Sequence, residues 1–424
     1  MQPSQASVFS TLQPIWRGFL RGSLGAGVAV LARAVGALVL NKVFALYAPA
    51  GGLTLLAQFQ NLMALFTTLS YDGLRVGLVK YLAPLAPGRP RYRLWLGAAA
   101  ALNMAALLLG LGVLAAVGSF SGGSLLLFGL GIGLITLHTM LGAAQLAAGR
   151  LWDFVSLSAC LAALGTGGAA GALFLGWPLE QVLLAYLLAQ GLAALPALWL
   201  AARAGLLRGL RLLARPSRPA LWALSRFLLM ALSTLLFGKA VDFALRAYLF
   251  ETYGPARADL WQTVAKLSDN YTMVFGAVLS SVFYPRLAAL SGQPAAARAY
   301  VHGVLGLLAP LLAAGLGLLF LCRDWLLPLL FAPRLLAAGE LLGPQLLGDW
   351  ARFMSWVFIF QLSAQARTTR YMVVQAASAL VFGALLVVML PALGLAGAVW
   401  AHAGRYGLLL LACGLAHFGV KSRK

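Results

Sequence analysis

The chain alternates between long apolar runs and short polar stretches, and the runs are long enough to cross a bilayer. A spanning helix needs about 20 apolar residues. The breaks at polar, Gly and Pro residues predict twelve spans, at 16–46, 52–83, 94–117, 124–149, 152–175, 180–204, 219–250, 257–290, 299–322, 340–366, 370–392 and 396–419. The segment 323–333, interrupted by Pro328 and Pro333, is interpreted as an extension of the ninth span or an interfacial turn.

The longest basic connection between spans separates six of them from the other six. We therefore predict an all-α membrane protein with an N-terminal six-helix bundle at 1–204, a basic cytoplasmic linker at 205–218 and a C-terminal six-helix bundle at 219–424. Because each half has an even number of spans, both halves enter the membrane from the same side. This arrangement predicts a parallel repeat about an axis along the membrane normal.

A short sequence match supports the repeat. Tyr47-Ala-Pro-Ala superposes on Tyr253-Gly-Pro-Ala at an offset of 206 residues (253 − 47), and the same offset places Arg33 on Lys239. Each of these turns closes a long odd-numbered span before a long, partly polar one.

Composition and charge also indicate a membrane protein. Hydrophobic residues make up 62% of the sequence and charged residues 10%, and the mean hydropathy is +0.90. Lysine and arginine fall mainly in the loops on one side, with only Arg257, Arg323 and Arg334 on the other, which predicts cytoplasmic termini. The net charge of +21 is dispersed over short loops, a pattern that favours membrane lipids and disfavours nucleic acid as a partner.

Polar residues inside the spans gather on the first two helices of each half. They recur at steps of three, four and seven, so they share helix faces: Arg33 in the first span, Gln58, Asn61, Asp72 and Arg75 in the second, Lys239, Asp242 and Arg246 in the seventh, and Gln262, Lys266, Asp269 and Asn270 in the eighth. Three charges oppose insertion of the seventh span by roughly 8 to 10 kcal/mol, whereas its apolar residues favour it by roughly 4 to 7 kcal/mol. These faces must therefore meet protein or water, which predicts a hydrated central cavity.

The central spans hold more cations than carboxylates, and this excess favours an anionic substrate such as a pyrophosphate or an acidic sugar. We predict pyrophosphate contacts from Arg33, Arg75, Lys239, Arg246 and Lys266, glycan contacts from Gln58, Asn61, Gln262 and Asn270, and ion coupling at Asp72, Asp242 or Asp269. The alternative is internal neutralisation by pairs three or four residues apart: Asp72 with Arg75, Asp242 with Arg246, Asp269 with Lys266 and Asp349 with Arg352.

No cofactor or metal site is expected. The sequence has no GxxxxGK[ST] nucleotide motif, so the work must come from an H⁺ or Na⁺ gradient or from the substrate's own gradient. Cys160, Cys322 and Cys413 lack metal-ligand spacing.

Three stretches resemble a known family. FALYAPAGGLTLLAQFQNLMALFTTLSYDGLRVGLVKYLA (44–83), WQTVAKLSDNY (261–271) and GDWARFMSW (348–356) resemble the Wzx flippases of O-antigen and enterobacterial common antigen assembly, in the MOP superfamily that also contains the MATE drug exporters. The resemblance implies twelve helices in two bundles, with helices one, two, seven and eight lining a central cavity.

The resemblance also implies a function in the bacterial inner membrane. The expected activity is movement of an undecaprenyl-pyrophosphate-linked oligosaccharide from the cytoplasmic to the periplasmic leaflet, beside a polysaccharide polymerase and a chain-length regulator as partners. Two alternatives remain. A MATE-like exporter would favour an acidic cavity, and a membrane glycan polymerase or ligase would need larger exterior loops.

Overall fold

The computed structural model describes residues 31, 33–68, 74–118, 121–207, 217–279, 283–290, 293–364 and 368–419. Throughout these ranges the regular structure is helical, without β-strands. The first eight helices are α1 (33–47), α2 (Gly52–Thr68), α3 (Arg75–Leu82), α4 (Pro90–Val117), α5 (Gly122–Ala147), α6 (Leu151–Phe174), α7 (Leu179–Gly191) and α8 (Ala194–Arg203).

The described residues of the C-terminal half are also helical. Its helices are α9 (Arg218–Tyr253), α10 (Pro255–Val278), α11 (Tyr284–Ala289), α12 (Pro294–Leu321), α13 (Arg323–Leu330), a 3₁₀-helix (Pro333–Ala338), α14 (Gly339–Ala364), α15 (Thr368–Leu393) and α16 (Ala396–Gly419). Proline at the first turn of α4, α10 and α12 fits the missing N–H donor at a helix start.

Seven helical segments of the described chain are long and apolar enough to cross a membrane. They are Pro90–Val117, Gly122–Ala147, Leu151–Phe174, Leu179–Arg203, Ala295–Leu321, Thr369–Leu393 and Ala396–Ala416. The chain is therefore an all-helical, multi-pass membrane protein. The helices are consistent with twelve spans in two bundles, and that count stays a prediction.

Three predicted spans each contain two helices. The second span, 52–83, holds α2 and α3; the sixth, 180–204, holds α7 and α8; and the eighth, 257–290, holds α10 and α11. The segment 323–333 forms the separate helix α13, which follows α12 directly at Cys322.

The structure divides into two compact units whose limits cross the predicted halves. One unit combines the described part of 1–36 with 69–168 and 184–228, and the other combines 37–68, 169–183 and 229–424. Helix α2 thus belongs by sequence to the first half but packs on α10 of the second. The predicted boundaries at 204 and 219 are not tested by this division and stay predictions.

Candidate functional site

The second unit contains a buried arginine. Arg246 on α9 is 4% exposed, and its Nε donates a hydrogen bond of 2.8 Å to Oε1 of Gln262. Its guanidinium also lies 5.8 Å from the ring centroid of Trp261. The turn at Gly254 reverses the chain between α9 and α10, so both partners come from the second and third turns of α10.

This pair has unused hydrogen-bond donors. Nη1 of Arg246 and Nε2 of Gln262 are buried without a partner among the described residues, and so are the Nδ2 atoms of Asn61 on α2 and Asn270 on α10. All four atoms are N–H donors. Buried polar groups in proteins are nearly always satisfied, so these four donors lack acceptors, and an anionic or hydroxyl-rich group would supply them.

A second cation lies in the seam where α2 packs on α10. Nζ of Lys266 donates a hydrogen bond to Oε1 of Gln60. These residues are 206 positions apart, which equals the offset between the two halves. The contact therefore joins positions that the predicted repeat makes equivalent.

The other predicted site residues have different surroundings. In the first unit, Nη2 of Arg33 donates to Ser158 Oγ at 3.3 Å, and the guanidinium of Arg75 lies 5.9 Å from the Phe154 ring centroid. In the second unit, Gln58 and Asp242 are half-buried and Asp269 is exposed. Asp72 and the side chain of Lys239 lie outside the described residues.

Of the four pairs that internal pairing would form, the described residues show Asp349 with Arg352, and Asp72, the expected partner of Arg75, lies outside them. Arg352 Nη2 and Asp349 Oδ1 form an ion pair of 2.9 Å. Among the described ion pairs, none joins Arg246 to Asp242; Arg246 bonds to Gln262 instead. A guanidinium without a carboxylate partner is costly inside a membrane protein, so Arg246 is the stronger candidate for a substrate contact.

Asp349 on α14 is the centre of a polar cluster that the sequence analysis noted only as a pair. Its carboxylate is fully buried and accepts hydrogen bonds from Ser268 at 2.8 Å and from Tyr271 on α10. Nε2 of His402 on α16 lies 3.0 Å from Oδ1. One carboxylate thus joins α10, α14 and α16.

Asp259 was missed by the sequence analysis. This residue, 2% exposed in the second turn of α10, accepts hydrogen bonds from the backbone N–H groups of Gly51 and Thr54, both at 2.8 Å, and from the Thr54 hydroxyl at 2.7 Å. Backbone partners more than 200 positions away leave no trace in helix periodicity. The available signal was an acidic residue shortly after the repeated Tyr-x-Pro turn.

Comparison with known proteins gives relatives along nearly the whole chain. The chain is 25% identical to the lipid III flippases of Escherichia coli K12 and Shigella flexneri, over 93% of its own length and 97% of theirs. The solved lipid II flippase MurJ, in an inward closed conformation, matches with a TM-score of 0.70 and 11% identity, over 94% of this chain and 87% of MurJ. A mutant of the Vibrio cholerae MATE transporter VcmN matches with a TM-score of 0.65 and 12% identity, over 98% and 99% of the two chains.

The chain has the fold of these MurJ and MATE structures. No protein-family model matches the sequence. The relatives are flippases and transporters, not enzymes, which confirms the prediction of a transporter. They also support the wider MOP flippase class, whereas the Wzx branch stays a prediction.

Proposed function

We propose that the chain is a Wzx-type flippase of the bacterial inner membrane. It moves an undecaprenyl-pyrophosphate-linked oligosaccharide, for O-antigen or a related surface polysaccharide, from the cytoplasmic to the periplasmic leaflet. The full-length similarity to lipid III flippases supports a lipid-linked substrate.

One observation supports an anionic substrate. Arg246 is a buried guanidinium whose described partners are an amide oxygen and an aromatic ring, and its Nη1 has no acceptor. A pyrophosphate provides negative charge and several oxygen acceptors, so it satisfies both Arg246 and the neighbouring Gln262 amide.

The remaining predicted residues have roles that follow from their chemistry. Lys266 adds a second cation, and the amides of Asn61 and Asn270 offer N–H donors to sugar oxygens. The polyprenyl tail stays in the lipid while the two halves rock and expose the headgroup to each side in turn. Uptake of H⁺ or Na⁺ at Asp72, Asp242 or Asp269 would reset the carrier.

The test uses purified full-length protein in proteoliposomes with undecaprenyl-pyrophosphate carrying a fluorescent trisaccharide. Arg246→Gln is expected to slow flipping at least tenfold, because each lost charge-assisted contact is worth about 1.5 to 3 kcal/mol. Arg246→Lys retains the charge without the planar guanidinium group. Its flipping rate should lie between those of the unaltered protein and Arg246→Gln.

The matched control is Arg203→Gln, which removes the same charge from an exposed position at the end of α8. Its flipping rate should equal that of the unaltered protein. A normal rate for Arg246→Gln would refute the anion site.

An ion-coupled exporter of small molecules is the second candidate, because the MATE structures share the fold. A cation exporter favours acidic binding groups, whereas the candidate site holds the buried Arg246 and the half-buried Lys266. Drug-accumulation assays in cells that overproduce the protein would distinguish the two functions, and reduced accumulation of cationic dyes would support the exporter.

A further inference from the structure

The turn between α1 and α2 is fastened to the second half of the chain by polar contacts at one end of the second unit. Asp259 bonds to Gly51 and Thr54, as described above. Nη2 of Arg334 donates to the carbonyl of Ala48 at 2.9 Å, on the other side of the same turn.

Asp259 provides the N-terminal cap that α2 lacks in its own sequence. The first N–H groups of a helix have no partner within the helix, and a carboxylate at this end satisfies them and interacts favourably with the helix dipole. Here the cap for Thr54 comes from a residue 205 positions later in the chain. Formation of the cap and closure of α2 onto α10 are therefore the same event.

The backbone of the turn is shaped for this close approach. Gly51 has a φ of +86°, and a Cβ atom built on it would lie 2.6 Å from the Cβ of Pro255 and 2.8 Å from the Phe250 ring. Any other residue would collide with the turn between α9 and α10. Gly254 has a similar φ of +82° but no atom within 4 Å of its Cβ position.

We propose that Asp259, Arg334, Gly51 and Thr54 form a latch that closes this end of the transporter and opens once in every transport cycle. By sequence the latch joins the two halves that must separate in alternating access. Its bonds go mostly to backbone groups that water satisfies on opening, so the latch is reversible. The predicted topology places it on the periplasmic side.

Opening of the latch also changes the surroundings of the candidate site. Lys266 lies seven residues, or two helical turns, after Asp259 on the same helix, and it bonds to Gln60 in the same seam. When α2 moves away from α10, Lys266 loses Gln60 as a partner. Opening the latch thus changes the surroundings of a residue that the proposed function assigns to the pyrophosphate.

The experiment measures latch opening without any substrate. A Leu53→Cys reporter is introduced after Cys160, Cys322 and Cys413 have been changed to alanine, and its labelling by a membrane-impermeant maleimide is followed in right-side-out vesicles. Leu53 is 1% exposed beside Thr54 and forms none of the latch bonds, so its labelling reports opening.

Asp259→Asn and Gly51→Ala should each raise the labelling rate about tenfold, since each weakens the closed state. Gly254→Ala, at a similar positive φ but with no collision, should leave the rate unchanged. If Asp259→Asn fails to insert into the membrane, Gly51→Ala alone tests the proposal. Unchanged labelling in the inserted variants would overturn the proposal.

A second reporter separates opening from general loosening. Ala143→Cys lies in the core of the first unit and should stay unlabelled in every variant; parallel labelling of both reporters would overturn the latch. Only its place in a transport cycle rests on the proposed function. Arg246→Gln should slow flipping at least tenfold without changing Leu53→Cys labelling, so failure of the anion site and failure of the latch give different results.

Discussion

Lys266 on α10 donates a hydrogen bond to Gln60 on α2, and 206 positions separate these two residues, as they do the turns at Tyr47 and Tyr253. The predicted repeat makes these two positions equivalent. A candidate substrate cation thus lies where α2 of the first predicted half packs on α10 of the second.

Changing the neutral partner of Lys266 tests whether its charge is needed. Gln60→Glu places a carboxylate against Nζ, and the new ion pair neutralises the cation that the substrate requires. Flipping should fall about tenfold, more than in Gln60→Ala, which only removes an acceptor. The rates are measured in the proteoliposome assay, and a faster rate for Gln60→Glu than for Gln60→Ala would contradict the role of Lys266.

Removing the charge of Asp349 should strongly destabilise the protein. Asp349→Asn leaves Arg352 buried without its ion pair, a change that costs about 3 to 5 kcal/mol. Asp153→Asn breaks the more exposed pair with Arg150 and should cost less than about 1 kcal/mol. Thermal unfolding in detergent, followed by a thiol-reactive dye, compares the two variants.

The double variant Asp349→Asn/Arg352→Leu gives the control for this prediction. It removes both charges, so it should regain part of the stability that Asp349→Asn loses. A double variant less stable than Asp349→Asn would show that Arg352 stabilises the bundle without its carboxylate.

The close approach of α14 and α16 depends on Gly348. A Cβ atom at this position would lie 2.5 Å from Cδ2 of His402 and 2.9 Å from Cα of Ala403. Gly348→Ala should destabilise the protein by about 1 to 3 kcal/mol through overpacking, and it should also disturb the His402 contact with Asp349.

Gly383→Ala on α15 is the matched change, because nothing lies within 4 Å of its Cβ position. Alanine favours a helix by about 1 kcal/mol over glycine, so this variant should be neutral or more stable. Equal melting temperatures for the two variants would contradict the packing argument.

The sequence predicts the helices well and their tertiary partners poorly. Apolar runs and Gly-Pro turns place α4, α5 and α6 within a few residues of their observed limits, because insertion requires long apolar segments. The subdivision of spans such as 52–83 was not predicted, since apolar length alone carries no signal for it. The polar periodicity singled out Arg246 and Gln262, which the fold brings into contact, and their substrate roles stay predictions.

The contacts made by Asp259 and His402 depend on the fold rather than on local pattern. His402 resembles any lone histidine in a span, yet the crossing of α14 and α16 brings it to Asp349. His138 is also buried, and its Nε2 lies 3.3 Å from the carbonyl oxygen of Leu157. Identical residue types thus differ in role because of which helix crosses nearby.

The cluster at Asp349 has a mechanical consequence. A single buried carboxylate is shared by three helices, so none of them can shift alone without breaking hydrogen bonds to it. Helices α10, α14 and α16 should move together as one rigid body. A displacement produced where α10 meets α2 would then be carried undiminished to the distant ends of α14 and α16.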